Sequence, residues 1–519
     1  MNIIFRVIPK TFLSICLLYG AILPAQTESP PLRLELEARP NTEPYNLVPY
    51  GKEGFVLFTQ TNEFEDRNNR IWLVSFFDNT LKEKWTKTLA VPRSMVYRAH
   101  SAGSQHAVGL FYDEKTSQGN KYFFVVTTTD SASLRTIEGN LTQRSELVAF
   151  AQYGSWLYLG LSSRNSANVF RIHRLSGETQ ELKLNPDGGG HIEGISADSS
   201  LQEMVVLTSF RNVRVRTPLF MQRFNDAGQL TGYEQVMKPD NRRIISSAEY
   251  VSLNGQGWMI AGSYSTSSMR RLSASIAADG IKSAGFYQVI GSNLRQPEIT
   301  YHSFSGFGNL ENYLRGPVAE TMHRRLKRKQ DRGKTIQLEH NLVIHKIRKY
   351  KGVYLLCAEA FAPDYRTVTT ITYDYYGRPI PRTYSVFDGY RYSHAVVAAM
   401  NDQGQLAWNS GIEMLNVRSF DLDFKTSLYS DGEELVLAFN QEGKIAWKPI
   451  QPKGSTENIS YASIESSHTK DRVATEQKSQ LSYWYDNVFL AYGYQSIVNN
   501  YHPTQQRRNV FYINKIVFD

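Results

Sequence analysis

The chain has 519 residues, of which 41% are hydrophobic, 12% aromatic and 21% charged. This composition is typical of a folded protein with a large core and excludes a disordered chain. The formal net charge is +9, but residues 323–351 alone hold eleven Lys and Arg against two acidic residues. That local excess accounts for the net charge, so the chain carries one basic segment and is not basic throughout.

The first 25 residues have the pattern of a signal peptide. Arg6 and Lys10 precede an apolar stretch at residues 11–24, and the small residue Ala25 predicts cleavage before Gln26. No later stretch approaches the roughly 18 apolar residues of a membrane span. We therefore expect residues 1–25 to be removed and the mature chain to be exported, not transmembrane, and periplasmic, outer-surface or secreted.

From residue 32 to residue 277, short apolar or alternating runs predict one strand after another. The predicted strands are 32–38, 54–59, 71–77, 107–111, 122–128, 147–150, 156–161, 169–175, 204–209, 219–224, 258–263 and 272–277. Turn residues recur near positions 78, 130, 176, 226 and 279, at spacings of 46 to 53 residues. Units of several strands with a period of roughly 40–50 residues are typical of β-propeller blades.

This rhythm stops at residues 292–341, which we predict to be a basic insertion between blades, helical over residues 318–330. Its cationic residues suit contact with an anionic envelope surface, although a solvated helix or loop is the simpler interpretation. Nucleic acid is not expected as a partner, because export removes the usual targets and no aromatic residues interleave the run. The residues assigned to this contact are Arg324, Arg325, Lys327, Arg328 and Lys329.

The strand pattern resumes at residues 342–361, and residues 362–392 interrupt it as a predicted long loop. A β-hairpin follows at residues 393–414, and similar hairpins occupy residues 220–233 and 435–449. Counting turns favours seven units, with six or eight as the alternatives. We expect the ring to close by pairing of residues 32–38 with the last strand, residues 510–518.

The chain resembles the β-propeller superfamily in these hairpins. Residues 354–361, 387–390 (FDGY), 394–399 and 487–495 (NVFLAYGYQ) resemble uncharacterised exported bacterial propeller proteins. The WD dipeptides of WD40 repeats and the recurring glycine pairs of kelch repeats are absent. The resemblance implies an all-β fold, a single propeller of antiparallel four-stranded blades over residues 26–519, and it brings no activity with it.

The common catalytic and cofactor motifs are missing from the sequence. There is no G-x-S-x-G, no H-E-x-x-H, no phosphate-binding loop and no paired C-x-x-C. We therefore expect no cofactor and no metal. Removal of the signal peptide leaves Cys357 as the one cysteine, in an apolar run where a buried, unreactive thiol is expected.

The interruption at residues 362–392 is the candidate site, since long loops between strands often carry function. Two carboxylates and a histidine near its ends, Glu359, Asp388 and His394, are the catalytic candidates if the chain is an enzyme.

Aromatic and arginine residues at the same ends suit a binding surface for a protein or a glycan. They are Tyr365, Arg366, Tyr390, Arg391 and Tyr392. The alternative is a loop that covers its own blade, with tyrosines packed inward and arginines paired with aspartates.

These observations favour a binding or scaffold module at the cell envelope. A propeller hydrolase or lyase acting on extracellular or envelope glycans is one alternative. A structural component of a surface-assembly or secretion machine is the other.

Overall fold

In the computed structural model, strands dominate the part of the chain that is described. The described residues are 33–518 apart from 39–43, 104–105, 114–119, 129–132, 142–144, 164–165, 211–217, 239, 241, 254–256, 267–281, 293–294, 308–323, 325–326, 329–330, 333–337, 431–433, 451–457, 469 and 502–505. The predicted signal peptide and the predicted strand at residues 272–277 lie outside them.

An N-terminal strand, β1 (Arg33–Glu37), precedes four antiparallel sheets of four strands each. The first sheet contains β2 (Tyr45–Pro49), β3 (Gly54–Phe64), β4 (Asn69–Asp78) and β5 (Glu83–Pro92). The second contains β6 (Val96–Ala102), β7 (Ala107–Asp113), β8 (Asn120–Thr127) and β9 (Leu134–Leu141). The third contains β10 (Glu146–Tyr153), β11 (Trp156–Ser162), β12 (Ala167–His173) and β13 (Thr179–Leu182). The fourth contains β14 (His191–Asp198), β15 (Glu203–Ser209), β16 (Leu219–Phe224) and β17 (Leu230–Met237).

Four further sheets follow, two of them with short extra strands. The fifth contains β18 (Ile244–Ile245), β19 (Glu249–Ser252), β20 (Trp258–Ser265), β21 (Gly285–Ser292) and β22 (Arg295–Ser303). The sixth contains β23 (Asn341–Ile344), β24 (Arg348–Tyr350), β25 (Val353–Tyr373), β26 (Pro379–Met400), β27 (Leu406–Glu413) and β28 (Arg418–Ser419). The seventh contains β29 (Thr426–Ser430), β30 (Leu435–Gln441), β31 (Lys444–Pro449) and β32 (Ser460–Ser463). The eighth contains β33 (Arg472–Tyr485), β34 (Val488–Val498) and β35 (Arg507–Val517), and one-turn 3-10 helices lie at Gly51–Glu53, Pro186–Gly188 and Phe304–Gly306.

The sheets form a ring in chain order. Strands at the start of successive sheets contact one another, β2 with β6, β6 with β10, β10 with β14 and β14 with β19, and β33 contacts both β29 and β2. A small sheet of four strands cannot bury its two faces alone, whereas stacking around a ring covers both. This arrangement confirms the predicted all-β propeller.

Hydrophobic clusters fill the spaces between consecutive sheets. Phe58 and Trp72 of the first sheet pack with Phe111 of the second, and the contacts continue around the ring. The cluster of Leu57 with Trp484 joins the eighth sheet back to the first. Each sheet is covered on both faces. The strands second in spatial order, such as β7 and β20, are therefore buried along their whole length, and their sequences are mainly apolar without alternation.

The ring closes through the two ends of the chain, as the sequence predicts. β1 pairs antiparallel with β35, from Arg33 opposite Asn514 to Glu37 opposite Val510. The side chain of Arg508 lies within 3.0 Å of Glu35 and also pairs with Asp471. The first described strand is therefore the outermost strand of the last sheet.

The described residues contain eight sheets. The turn count favours seven units, with six or eight as alternatives, so the structure matches the alternative of eight. The difference has a physical reason. Counted turns such as Asp78 and Ser176 join the third and fourth strands of a sheet. The eighth sheet takes its fourth strand, β1, from the N-terminus, so it has no such turn to count.

Antiparallel pairing sorts the connections onto two faces of the ring. Connections between the second and third strands of a sheet, and from one sheet to the next, lie at one end of the sheets, here named the upper face. Connections from first to second and from third to fourth strands lie at the opposite end, the lower face. Among the described residues, no helix has the length and apolar character needed to cross a bilayer.

The basic insertion begins later than predicted. Residues 295–303 form β22 and pair with β21, because TYHS continues the two-residue alternation of the fifth sheet. The segment between the fifth and sixth sheets lies between Phe307 and Leu338, and both of these residues pack in the cluster between the two sheets.

Candidate functional site

Residues 362–392 form a β-hairpin and not the predicted long loop; we call this hairpin the arm. β25 and β26 run past the end of their sheet, where β23 stops at the pair Asn341–Phe361 and β27 stops at Glu413–His394. Nine consecutive pairs, from Tyr365–Phe387 to Tyr373–Pro379, bind only each other among the described strands. At about 3.4 Å per residue this ribbon is roughly 30 Å long.

The arm was missed as strand because its sequence lacks the alternation of a half-buried strand. Both of its faces are exposed, so threonine and tyrosine occur on both and prolines interrupt the far strand. Period-two alternation appears only where one face is buried and the other is solvated.

A tight turn closes the tip of the arm. The Asp374 carboxylate accepts hydrogen bonds from the backbone N–H groups of Tyr376 and Arg378, at 2.9 and 2.7 Å. Gly377 has φ of +74°, a conformation that glycine adopts without steric cost. This turn presents Tyr375, which is 97% exposed, at the outer end of the molecule.

One face of the arm carries no charged side chain. Register places ten uncharged residues together on it: Tyr365, Thr367, Thr369, Ile371, Tyr373, Pro379, Pro381, Thr383, Ser385 and Phe387. Ile371 and Tyr373 are 62% and 71% exposed. The opposite face carries Arg366 and Arg382 among apolar and hydroxyl residues. The uncharged face is the more suited to contact with another macromolecule.

Aromatic rings gather where the arm leaves the sheet; we call Tyr365, Phe387, Tyr390 and Phe420 the base patch. The ring of Phe387 lies 5.8 Å from Tyr365, 5.0 Å from Tyr390 and 6.5 Å from Phe420. Phe420 comes from the connection between β28 and β29 and is 61% exposed. The base patch therefore continues the uncharged face onto the upper face of the ring.

Ion pairs flank the base patch. Arg366 lies 3.6 Å from Asp388, and Arg418 lies 3.4 Å from both Asp388 and Asp364. These groups are partly exposed, so each pair contributes little to stability, on the order of 0–1 kcal/mol. They match the alternative in which arginines of the interruption pair with its aspartates.

The predicted binding residues separate into exposed and buried ones. Tyr365, Arg366 and Arg391 are exposed, and Tyr390 is half-buried against Phe361 at 5.4 Å. Tyr392 is buried in the cluster between the sixth and seventh sheets, and its hydroxyl donates to the Asp423 carbonyl at 2.7 Å. The assignment of Tyr392 to the binding surface is corrected, because it belongs to the core.

The structure does not bring the three catalytic candidates together. Glu359 is opposite Ala395 and His394 is opposite Ala360, and directly opposed residues share a face. Glu359 and His394 therefore project from opposite faces of the sixth sheet, Glu359 toward the seventh sheet and His394 toward the fifth. Asp388 lies at the base of the arm in the ion pairs described above.

Glu359 is fully buried, and its carboxylate is satisfied by hydrogen bonds. It accepts from the backbone N–H of Lys425 and Thr426 at 2.9 and 2.8 Å, and from the Thr426 hydroxyl at 2.7 Å. His345 Nε2 lies 2.7 Å from it. A carboxylate held this way links two sheets and has no open side for a substrate.

Burial also removes reactivity from His394 and Cys357. Burial, with the neighbouring His340, lowers the pKa of His394 to about 3, so the imidazole is neutral at physiological pH. Burial, with the neighbouring Glu359, raises the pKa of the Cys357 thiol to about 12. The thiol is buried and free, as the sequence predicts.

The basic insertion rejoins the ring beside the arm. Asn341, the first residue of β23, pairs with Phe361 at the point where the arm begins. Within the insertion, Arg324, Lys327 and Arg328 are described as helical and exposed. Arg325 and Lys329 lie outside the described residues. The cationic segment and the arm thus start from the same part of the upper face.

Two exposed groups were not recognised in the sequence. Tyr375 and Tyr376 at the tip were missed, although a pair of tyrosines inside a turn is a signal for an exposed aromatic surface. In residues 420–424 (FDLDF), Phe420, Leu422 and Phe424 were also missed, and all three are exposed apolar residues.

No protein-family model matches the chain, and no curated protein matches it. Among solved structures it is similar to apo AztD from Citrobacter koseri, with 9% identity, a TM-score of 0.38, and coverage of 89% of this chain and 99% of that one. The Dos1 propeller matches with 8% identity and a TM-score of 0.37, covering 75% and 74%. The tricorn protease matches with 10% identity and a TM-score of 0.37, and the similarity covers 84% of this chain but only 36% of the protease.

At these identities and TM-scores the matches bring no function to the chain. The ring of antiparallel sheets described above shows that the chain has a β-propeller fold.

Proposed function

We propose that this chain is an exported binding module of the cell envelope that holds a partner protein through the arm. The observation that carries the proposal is the uncharged face of the arm, which stands outside the ring. A two-stranded hairpin alone is marginally stable in water, and an exposed flat strand edge invites pairing with another chain. A partner that covers this ribbon would remove both costs.

The size of the arm defines what else the partner touches. A ribbon about 30 Å long and 10 Å wide offers roughly 300 Å² on one face. A stable interface buries about 800 Å² on each partner. The base patch is continuous with the uncharged face and adds Tyr390 and Phe420 to it, aromatic residues of the kind enriched in interface cores. The partner therefore covers the base patch together with the arm.

The basic insertion favours a partner with an acidic surface. The insertion rejoins the ring next to the arm at Asn341. Exposed charges at the rim of an interface mainly increase association rates and select partners. An acidic region on the partner, placed beside the groove or strand that receives the arm, fits both elements.

The experiment compares variants in the exporting cell. Ile371→Ser combined with Tyr373→Ser removes two exposed apolar side chains of the uncharged face without touching the ring. Leu175→Ser is the matched control, because Leu175 is 53% exposed and lies on the lower face. We expect the arm variant to leave the envelope complex and run at monomer mass on native gels, whereas the control stays in the complex. Retention of the arm variant would refute the proposal.

A second comparison tests the basic segment. Arg324→Glu, Lys327→Glu and Arg328→Glu together reverse three exposed charges. The proposal expects slower and more salt-sensitive capture of the partner with an unchanged fold by circular dichroism. Association that is independent of these charges would exclude the acidic partner surface.

The alternative, a structural component of a surface-assembly or secretion machine, would use the same arm and basic insertion. It differs from the binding module in the stoichiometry of the complex. It expects the chain to be a fixed subunit of a large assembly, recovered at constant ratio under all growth conditions. A glycan hydrolase or lyase gains no support from the site, because Glu359 and His394 face different neighbouring sheets.

A further inference from the structure

A groove of about 860 Å³ lies between the seventh and eighth sheets on the lower face, opposite to the arm. Asp486 and Asn487 belong to the connection between β33 and β34, and Phe518 directly follows β35. The lining residues are Tyr429, Ser430, Glu434, Val436, Ile445, Trp447, Ala462, Tyr483, Asp486, Asn487, Ile516, Val517 and Phe518. The groove is separate from the arm in both position and residues.

Aromatic rings form the walls of the groove. Tyr429 and Tyr483 stack with centroids 6.2 Å apart, and Trp447 meets Phe518 edge-on at 6.1 Å. Phe489 packs beneath them, 5.0 Å from Phe518. Contacts between rings restrict their orientation, so the aromatic lining of the groove is preorganised.

The groove carries acidic side chains. Among the described residues that line it, Glu434 and Asp486 are the charged ones, and lysine, arginine and histidine are not represented. Lys52, in the connection between β2 and β3, already places its ammonium 2.8 Å from the Asp486 carboxylate. Both partners of that pair are more than half exposed, so the pair is weak and open to exchange with another cation.

We propose that this groove binds a small organic cation, with an ammonium group held between the aromatic faces and the two carboxylates. Aromatic faces attract cations through the ring quadrupole, Trp most strongly, and quaternary ammonium ligands are recognised in this way. The apolar part of the lining, which includes Val436, Ile445 and Ile516, accommodates the carbon skeleton of the ligand. This inference does not depend on the proposed function of the arm.

The test uses choline and its neutral isostere 3,3-dimethylbutan-1-ol, which differ in shape very little and in charge by one. Binding to the mature chain is measured by calorimetry and by ligand-observed NMR. We expect choline to bind at least tenfold more tightly than the isostere. Equal binding of the two, or no binding of choline, would overturn the proposal, and so would tighter binding of a neutral disaccharide such as maltose.

Two variants and a control assign the binding to this groove. Glu434→Gln keeps the shape of the side chain and removes its charge, so we expect at least a fivefold loss of choline affinity. Trp447→Leu should abolish the preference for choline over the isostere. Tyr375→Ala, at the tip of the arm, should change neither value. Unchanged choline binding by Glu434→Gln, with its fold confirmed by circular dichroism, would contradict the assignment.

Discussion

Glu359 shows how a carboxylate in the middle of an apolar strand can serve the fold. The sequence marks it as unusual, since it lies between Ala358 and Ala360 in a run of otherwise buried apolar residues. The structure explains this residue, because its carboxylate accepts hydrogen bonds from the backbone N–H groups of Lys425 and Thr426, where the seventh sheet begins. No local sequence pattern reveals that partner, because the two ends of these bonds are 66 and 67 residues apart.

Glu359→Ala should destabilise the protein by about 3 kcal/mol, because it leaves two buried N–H groups without acceptors. Glu359→Gln retains an acceptor oxygen, so its loss should be about half as large. Guanidinium unfolding followed by tryptophan fluorescence measures both. Glu53→Ala, at an exposed position, should change the unfolding free energy by less than about 0.5 kcal/mol. A Glu359→Ala protein as stable as wild type would contradict the role assigned to this carboxylate.

His394 should make stability fall in mild acid. Burial, with the neighbouring His340, lowers its pKa to about 3 in the folded chain, whereas the unfolded chain binds a proton near the ordinary value of about 6.5. The unfolded state therefore holds more protons between these values. The contribution of neutral His394 to the free energy of unfolding is therefore complete above about pH 6.5. It declines as pH falls, by about 1.4 kcal/mol per pH unit for one proton.

His394→Gln tests this directly through the slope of unfolding free energy against pH. Between pH 4.5 and 6 the slope should decrease by about one proton relative to wild type, whatever the absolute stability of the variant. A slope identical to that of wild type would show that another group titrates.

At the scale of elements, the arm is a feature of the sixth sheet that the ring does not need. Its nine pairs lie beyond β23 and β27. From the sequence this region was expected only as an interruption rich in Tyr, Arg and Asp. Its hairpin structure was not predicted, because propensity and pattern reflect burial against neighbouring strands, and no described strand lies beside the arm.

Replacement of residues 365–387 by Asn-Gly should leave the ring folded. The two flanking strands are already neighbours at this point, so a two-residue turn can join them. We expect the melting temperature to change by less than about 3 °C, since no residue of the ring core is removed. Differential scanning calorimetry makes the comparison. A drop of more than 10 °C would show that the arm is part of the fold rather than an element added to it.

At the scale of the whole molecule, closure depends on the union of the two chain ends. The sequence allowed this pairing to be predicted, since both segments alternate as strands and a ring leaves no other natural partner for them. The number of sheets was harder to predict, because the closing sheet lacks the turn by which the others were counted. The ionic contacts that hold the closure, between Arg508, Glu35 and Asp471, depend on three distant segments and had no local signal.

Arg508→Ala should weaken the closure by about 3 kcal/mol, because it leaves the buried Asp471 carboxylate without its cation. Burial alone would raise the pKa of Asp471, but hydrogen bonds from Arg508 and Asn499 hold it below its ordinary value. The deficit of the variant should therefore be full at neutral pH and shrink as pH falls below the ordinary Asp pKa of about 3.9, because wild type then loses this contribution too. Arg507→Ala, the exposed neighbour, is the control, and an equal effect of both would refute the role of Arg508.

The central claim is that the uncharged face of the arm contacts a partner protein in the envelope. A photoreactive benzoylphenylalanine at position 373, and separately at position 175 on the lower face, tests it in the exporting cell. The account predicts a discrete cross-linked product of higher mass from position 373 and none from position 175. Absence of a product from position 373, or the same product from both positions, would contradict it.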